Sequence, residues 1–370
     1  MPLRPGSPAP NFQGRTHRRP DYTFNRVGGF FVLMAFLPAD PDVAMRALAT
    51  VQNHRRLFDD RTRLFFGVTG DQACFDAQTQ QLPGLRYFLD GDGAIARGFG
   101  LTPAEQGSEG QWVVLDPSLR VLISAPLSQA DWVFGFLAGC QSQDDHAGVP
   151  LHAPVLIVPR ILEPALCREL IAVYKTHGGS ASGVMRKVDG EVRLVVDDFK
   201  KRSDAPIDDE ELRKRLRARI TACLLPEIEK AFMFKATRIE RYIVASYDES
   251  DGGYFRPHRD NTTPGTAHRQ FACSINLNAE EFEGGDLRFP EFGRRTYRPP
   301  TGGAVIFSCS LVHEATSVTR GTRYAFLPFF YNEDGARIRQ ANLKAAAEVA
   351  ASDPAASEPS SSQTTPVSPP

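Results

Sequence analysis

A histidine and an aspartate stand two positions apart in the stretch "GGYFRPHRDN" (252–261), as His258 and Asp260. Side chains repeat with period two along an extended strand, so both should face the same side of the chain. Two imidazoles and one carboxylate on one face hold Fe(II) and leave coordination positions open for a co-substrate and O2. The pair alone is not specific, because a chain with 8 histidines and 44 acidic residues contains roughly one His-x-Asp/Glu by chance.

A second histidine and an arginine follow at spacings that extend this pattern. His313 lies 53 residues after Asp260, directly behind the apolar run of "VIFSCSLVHEATSV" (305–318). Arg323 comes ten residues later on an apolar strand, where a planar guanidinium needs an anion and a bidentate carboxylate suits it best. Taken singly, His313 also fits a turn histidine, and Arg323 also fits a salt bridge at a strand edge.

A zinc site of the protease type is excluded by the same stretch. "HEATS" begins like the H-E-x-x-H motif, but position 317 is Ser317, so the second ligand is missing. The pair also follows a strand, whereas the zinc motif lies on a helix. His268 is expected at the surface and not as a fourth metal ligand.

Residues 155 to about 332, which carry these candidates, predict helices first and strands afterwards. The expected helices are Glu163 to about Thr176 and one helix over 207–232, whose charges form a solvated face. The expected strands lie in "RIERYIVASY", "FACSINLN", "GDLRFPEF", "GAVIFSCS" and "RYAFLPFFY". This order favours an antiparallel sandwich backed by helices.

Residues 1 to about 140 alternate strands with helices. Buried strands are expected in "FFVLMAFLP", "RLFFGVTG", "QWVVLDPSL" and "RVLISAPL", and helices in "VAMRALATVQNHRRLF" and "ACFDAQTQQL". The alternation predicts an α/β layer fold with a mixed or parallel sheet. We expect a linker over 141–154, an Ala-rich helix over 336–351 and a disordered Pro/Ser-rich tail over 352–370.

Composition sets the broad class. The 370 residues predict two or three domains, and a net charge of -1 offers no basic field for a nucleic acid. The N-terminal stretch has no apolar signal region, and the longest apolar run is too short to span a membrane. Six scattered cysteines indicate buried thiols in a reducing compartment, so we expect a cytoplasmic protein.

Together, "YFRPHRDN", "FEGGDLRFPE" (282–291), "LVHEATSVTRGTRY" and the aromatic strand after it resemble the Fe(II)/2-oxoglutarate dioxygenases of the prolyl-4-hydroxylase type. The resemblance covers roughly 155–335 and implies a double-stranded β-helix, or jelly roll. It implies Fe(II) bound by His258, Asp260 and His313, and the distal carboxylate of 2-oxoglutarate bound by Arg323. It also implies that Tyr247 and Asn276 contribute to the co-substrate pocket and that ascorbate serves as reductant.

Residues 6 to about 138 resemble the thioredoxin-like fold of the peroxiredoxins in the order of "GSPAPNF", "FFVLMAFLP" and "QWVVLDPSLRV". That family places its nucleophilic Cys where this chain has Met45, and a Thr where it has Asp42. The activating Arg is missing from 101–119, and Cys74 lies on a later helix. Because a peroxidase needs a low-pKa thiolate flanked by positive charge, we expect an inactive domain that serves docking, dimerisation or substrate presentation.

The leading interpretation is an oxygenase that hydroxylates an amino-acid side chain, of prolyl type, in a peptide or protein, with O2 and 2-oxoglutarate as co-substrates. The alternatives are a small-molecule oxygenase acting on a free amino acid or metabolite, and a degenerate metal-binding module without activity. The nucleic-acid dealkylating branch is disfavoured because its second pocket Arg is replaced by Phe329. Residues 182–206 form either the lid that recognises the substrate or an ordinary hairpin and linker.

Overall fold

The computed structural model describes residues 3–78, 82–101, 109–140, 142–188, 191–195, 198–352 and 364–366. The chain divides into two units, Met1–Ala153 with Phe289–Arg295, and Pro154–Arg288 with Thr296–Pro370. The second unit therefore begins where the predicted linker ends. Within the described residues, no helix has the length and apolar character needed to cross a membrane.

The first unit contains seven strands and four α-helices among its described residues. The strands are β1 Gln13–Gly14, β2 Tyr22–Thr23, β3 Phe31–Phe36, β4 Arg63–Thr69, β5 Leu85–Leu89, β6 Gln111–Leu115 and β7 Val121–Pro126. The helices are α1 Pro41–Asn53, α2 Gln72–Asp76, α3 Ala94–Gly98 and α4 Ala130–Gly139.

A mixed five-stranded sheet in the order β5-β4-β3-β6-β7 organises this unit. Strands β3, β4 and β5 are parallel, and β6 and β7 are antiparallel to their neighbours. The odd-numbered residues of β3 pack with α1 and α4, and its even-numbered residues pack with α3 on the opposite face. A strand buried on both faces is continuously apolar, as "FVLMAF" is. This agrees with the predicted α/β layer and its mixed sheet.

The helices of the second unit are α5 Pro164–His177, α6 Glu210–Cys223, α7 Leu225–Phe232 and α8 Glu333–Ser352. Apolar residues of α5, α6 and α7 share one core with strands of the second unit, among them Leu170, Leu216 and Ile228. The prediction of one helix over 207–232 is wrong, because the helix is interrupted at Leu224. Pro226 lacks an amide hydrogen and is tolerated only in a first helical turn, so it starts a second helix.

The described strands of the second unit are β8 Leu156–Val158, β9 Ser180–Ala181, β10 Val184–Val188, β11 Glu191–Val195, β12 Lys200–Lys201, β13 Ser203–Pro206, β14 Arg238–Glu240, β15 Ile243–Asp248, β16 Tyr254–His258, β17 Phe271–Asn276, β18 Glu283–Gly284, β19 Leu287–Arg288, β20 Thr296–Tyr297, β21 Ala304–Ser308, β22 His313–Ala315, β23 Val318–Arg320, β24 Thr322–Phe326, β25 Phe329–Tyr331 and β26 Thr364–Pro366.

Two antiparallel sheets form the sandwich that the sequence predicts. The large sheet has the order β26-β14-β25-β17-β24-β15-β13-β9, with β21 paired to β17 and β8 paired to β21. The small sheet has the order β12-β16-β22-β19-β20. From β15 to β24 the main strands alternate between the sheets, with β15, β17, β21 and β24 in the large sheet and β16, β19 and β22 in the small one. This is the winding of a double-stranded β-helix.

The stretch "RIERYIVASY" is not the single strand that the sequence predicts. It breaks into β14 and β15 at Arg241, whose φ is 72°. The two halves pair with different strands, β14 with β25 and β15 with β24. The chain therefore turns sharply between them, and a non-glycine residue adopts the left-handed conformation.

The end of the chain follows its prediction in part. Helix α8 includes the expected 336–351. Thr364–Pro366 pairs with β14 and so differs from the predicted disordered tail, because a sheet edge offers unpaired backbone groups to an extended segment. The rest of that tail lies outside the described residues. The predicted lid contains the hairpin β10–β11, but the side chains of 184–197 also lie outside the description, so its role stays a prediction.

A buried ion network joins the end of β14 to the loop before β17. The carboxylate of Glu240 is 2.7 Å from His268 Nε2 and 2.6 Å from Arg269 Nη2. The prediction that His268 lies at the surface is wrong, because its ring packs in the interior against Tyr331 and needs a buried partner. Burial alone raises the pKa of Glu240, but the hydrogen bond from His268 and the charge of Arg269 lower it far below its ordinary 4.5.

Glu240→Gln should therefore lower the free energy of unfolding of the second unit by about 3 kcal/mol at pH 7, because Arg269 loses its buried counterion. A carboxyl with a depressed pKa stabilises the fold above its ordinary pKa, and this contribution is lost as the pH falls. The difference between wild type and variant should therefore shrink below about pH 4.5. Amide hydrogen exchange in β14 and β17 of the metal-free protein measures it.

Glu283→Gln, which disrupts the exposed Arg320–Glu283 pair, is the matched control and should change stability by less than about 0.5 kcal/mol. A loss in Glu240→Gln that is no larger than in this control would contradict the prediction. So would a loss that is independent of pH.

Candidate metal centre

His258 and His313 are cross-strand neighbours in the small sheet. His258 ends β16, His313 begins β22, and the two are directly opposite in the antiparallel register. Their ring centroids are 4.3 Å apart. Facing positions on adjacent strands bring side chains to one side of the sheet, so two histidines distant in sequence meet here.

Asp260 joins them from the turn after β16. Its backbone N–H donates to the carbonyl of Cys309 at 3.0 Å, which anchors the turn beside the end of β21. Its carboxylate lies 3.6 Å from His258 Nε2 and 3.3 Å from His313 Nε2. One potential ligand atom from each of the three residues lies within 4.8 Å of the others. The structure thus brings the predicted triad together.

The hydrogen bonds of the two imidazoles orient them for a metal ion. His258 Nδ1 lies 2.8 Å from the Arg256 carbonyl and His313 Nδ1 lies 3.1 Å from the Leu311 carbonyl. A carbonyl only accepts hydrogen bonds, so each Nδ1 carries the proton and each Nε2 presents a lone pair beside Asp260. Two neutral imidazoles and one carboxylate are the donor set that non-haem Fe(II) takes.

The electrostatics favour the same protonation states. Burial and the neighbouring His313 lower the pKa of His258 to about 4. Burial alone raises the pKa of Asp260, but the two adjacent imidazoles of His313 and His258 hold it well below its ordinary value. Near neutral pH, a metal cation therefore meets an ionised Asp260 carboxylate and a neutral His258 imidazole, and it binds without displacing protons from them.

The triad lies in a cavity between the two sheets that is open to solvent. Besides the triad, its lining comprises Arg202, Arg241, Tyr247, Phe255, Ala272, Cys273, Ser274, Leu287, Phe307, Ala315, Arg323, Leu327 and Phe329. Phe255 stacks on His258 with ring centroids 3.5 Å apart, and Phe307 lies 4.5 Å from the His313 ring. Apolar rings therefore shield the predicted metal ligands from water.

Arg323 is a buried cation in this cavity whose contacts are neutral. Its guanidinium donates to the Gly285 carbonyl at 2.8 Å, to Ser274 Oγ at 2.7 Å and to Asn276 Oδ1 at 3.3 Å. Within the described ranges, no carboxylate lies within 4.0 Å of it. Burial lowers the pKa of Arg323, since the charge has left water without a counterion. An anionic ligand would supply that counterion.

Tyr247 and Asn276 differ in their relation to the cavity. Tyr247 lines it, directly opposite Arg323 in the pairing of β15 with β24, and its ring centroid is 5.1 Å from Arg323 Cζ. Asn276 does not line it, and its amide donates to the Pro299 carbonyl at 3.0 Å while its oxygen accepts from Arg323. Asn276 therefore orients the arginine, and a contact with the co-substrate stays a prediction.

A tight turn brings the Gly285 carbonyl to Arg323. Gly284 and Gly285 have φ values of 69° and 67°, which favour glycine. A Cβ on Gly284 would lie 2.1 Å from the Ser317 carbonyl oxygen, so no larger residue fits. The "GGDL" pattern, read from the sequence as part of a resemblance, has this physical basis.

Sequence reasoning missed Ser274, Arg202 and Arg241 as cavity residues. Ser274 is one of six consecutive residues of β17 and carries no distinguishing signal. Arg202 and Asp204 stand two apart in "FKKRSDAP", a period-two spacing of opposite charges that could have indicated a pair facing one side. The sequence predicts Arg241 inside a continuous strand, and only the break between β14 and β15 directs its side chain to the cavity.

Residues 242–331 match the model of the 2OG-Fe(II) oxygenase superfamily, and this range holds the triad, Tyr247 and Arg323. The chain contains a 2OG-Fe(II) oxygenase domain. A PKHD-type hydroxylase of Cupriavidus metallidurans is 30% identical over 112 residues, which are 26% of this chain and 48% of that protein. A second PKHD-type hydroxylase, from Verminephrobacter eiseniae, is 28% identical, and the match covers 32% of this chain and 56% of that protein. The chain thus spans about half the length of these relatives.

Among solved structures, that of a Pseudomonas putida prolyl-4-hydroxylase aligns with this chain at a TM-score of 0.37. It is 20% identical, and the alignment covers 51% of this chain and 96% of that protein.

Asp260→Ala should weaken binding of Mn²⁺ or anaerobic Fe(II) by about 100-fold or more, because the only carboxylate of the triad is lost. His258→Ala should remove turnover while the domain stays folded, since the cavity still holds Phe255 and Phe307. Equilibrium dialysis measures the affinity and circular dichroism the fold. His177→Ala, at the exposed end of α5, is the matched control and should bind metal as wild type does. Wild-type turnover in either triad variant would refute the ligand assignment.

Proposed function

We propose that this protein is an iron(II)- and 2-oxoglutarate-dependent dioxygenase that hydroxylates an amino-acid side chain, of prolyl type, in a peptide or protein. The observation that carries the proposal is the triad of His258, Asp260 and His313 in one cavity with Arg323, a buried cation whose contacts are neutral. A metal-ligand set and an uncompensated cation in one cavity suit a bidentate, anionic co-substrate.

The relatives support hydroxylation as the reaction. PKHD-type hydroxylases are named for it. A rat relative, 32% identical over 97 residues that are 12% of its length, is a multifunctional procollagen lysine hydroxylase and glycosyltransferase. Its name supports an amino-acid side chain within a protein as the substrate class for this chain.

The triad would hold Fe(II), which with 2-oxoglutarate and O2 would supply the oxidising power, and 2-oxoglutarate would be released as succinate and CO2. The residues of the chain bind and orient the reactants. Arg323, held by Ser274, Asn276 and the Gly285 carbonyl, binds the distal carboxylate in a fixed direction. Tyr247 covers this arginine, and Phe255 and Phe307 exclude water from the side of the histidines. Ascorbate is the reductant that suits this chemistry.

The first test is anaerobic absorbance of the full chain as Fe(II) and then 2-oxoglutarate are added, followed by succinate release in air. Wild type should show a weak visible band that His258→Ala lacks. Arg323→Gln should weaken 2-oxoglutarate binding about tenfold or more, because a charged hydrogen-bond partner is lost. Arg320→Gln, an exposed arginine on β23, is the matched control.

Absence of the band with iron bound and the protein folded would favour a degenerate metal-binding module. Succinate release without any peptide hydroxylation, but with hydroxylation of a free amino acid or metabolite in a parallel panel, would replace the substrate class and keep the enzyme.

We propose that the first unit is a peroxiredoxin-like domain of thioredoxin fold without peroxidase activity, which serves docking or dimerisation. The sheet order β5-β4-β3-β6-β7 supports the fold. Met45, at the position of the nucleophile, is an exposed residue of α1. Burial raises the pKa of the Cys74 thiol, the opposite of what a nucleophilic cysteine needs. All six cysteines are free, which supports the cytoplasm as its compartment.

The full chain should therefore reduce hydrogen peroxide no faster than its Cys74→Ser variant. Peroxide consumption in the presence of a thiol reductant measures both. Cys223→Ser, a partly exposed thiol of the second unit, is the control for nonspecific thiol oxidation. Appreciable peroxide reduction that disappears only in Cys74→Ser would overturn the proposal of an inactive domain.

A further inference from the structure

Arg241 occupies an unusual backbone position at the wall of the metal cavity. Its φ of 72° is left-handed, a conformation that non-glycine residues adopt at a cost, and it stands at the break between β14 and β15. The turn directs its side chain to the cavity, where it is a lining residue. Backbone strain at a cavity wall is a reason to ask what the side chain binds.

The guanidinium of Arg241 has no carboxylate partner. Its Nε donates to the Leu327 carbonyl at 3.0 Å, and its Cζ lies 4.4 Å from the centre of the Phe329 ring. Across the part of the chain that the structure describes, no carboxylate oxygen lies within 4.0 Å of it. Its two terminal nitrogens are therefore available for a ligand.

The other arginines around it differ in this respect. Arg202 pairs with Asp204 at 2.6 Å, and Arg269, on the same Phe329 ring, pairs with Glu240 at 2.6 Å. Burial and then the charges of Arg202 and Arg269 lower the pKa of Arg241 to about 10, although the more distant Asp204 and Asp260 raise it. Burial and then the charge of Arg202 also lower the pKa of Lys200 to about 6.

With Fe(II) and 2-oxoglutarate bound, the charges in the cavity would balance except for the positive charge of Arg241. Fe(II) and Asp260 contribute one net positive charge, Arg323 adds a second, and 2-oxoglutarate carries two negative charges. Arg202 and Asp204 cancel each other. One positive charge remains, on the half-buried Arg241, and keeping it there without a carboxylate partner costs stability. A single additional monoanion balances the cavity.

We propose that Arg241, next to Arg202, binds a carboxylate of the primary substrate. This inference rests on the proposed function and names its substrate class as a peptide that bears an acidic side chain or a free terminal carboxylate near the hydroxylated residue. A carboxylate suits the site better than a phosphate group, because one uncompensated cation matches one negative charge and the flat guanidinium binds a carboxylate bidentately.

The experiment uses the full chain loaded with Mn²⁺ and 2-oxoglutarate, and capped hexapeptides with one proline in a glycine background. In each pair, one position before or after the proline holds Asp in one member and Asn in the other, and a further pair ends in a free or an amidated carboxyl group. Calorimetry measures affinity, and mass spectrometry of the Fe(II) protein in air measures hydroxylation separately.

At one position or at the terminus, the acid should bind about tenfold or more tightly than its amide partner, as charged hydrogen bonds predict. Arg241→Gln should abolish that preference and Arg241→Lys should retain part of it. The exposed control Arg320→Gln should keep the preference.

Equal binding of acid and amide at every position would overturn the inference, and so would a preference that survives in Arg241→Gln or disappears in Arg320→Gln. An acid preference that depends on Arg241, without oxygen added to any peptide, would support the anion site while the proposed function fails. Peptide hydroxylation without any acid preference would support the proposed function and overturn the anion site at Arg241.

Discussion

The register between β16 and β22 is the constraint on which the oxygenase domain depends. It sets His258 directly opposite His313, and the hydrogen bond from the Asp260 N–H to the Cys309 carbonyl then fixes the turn that carries the carboxylate. A slip of one residue in an antiparallel pair moves every side chain to the other face. The ligand set would then lose one imidazole, although both strands would still be paired.

The arginines in and around the cavity of this domain differ in the partners of their guanidinium groups. Arg269 and Arg202 have carboxylate partners, and Arg323 donates to neutral acceptors. Arg241 has one carbonyl and one aromatic face. A fold keeps an uncompensated cation at a cost in stability, so Arg241 and Arg323, which lack a carboxylate partner among the described residues, give the cavity its capacity to bind anions.

Secondary structure is interrupted at two positions in the second unit, and only one of these interruptions can be predicted from the sequence. The break at Leu224 has a local cause, since Pro226 cannot continue a helix in any protein, and the sequence carried that information. The break at Arg241 has a distant cause. Its two flanks pair with β25 and β24, strands more than 80 residues downstream, and no residue near Arg241 marks the turn.

The sequence by itself determined the residue types of the metal site and the alternation of elements in both units. Period-two geometry placed His258 and Asp260 on one side, and apolar runs located the strands that hold His313 and Arg323. The tertiary structure decided the rest: that Ser274 and Asn276 orient Arg323, that His268 is buried against Glu240, and that Arg241 reaches the cavity. These contacts join strands far apart in the chain, and a local pattern carries no information about which strands will pair.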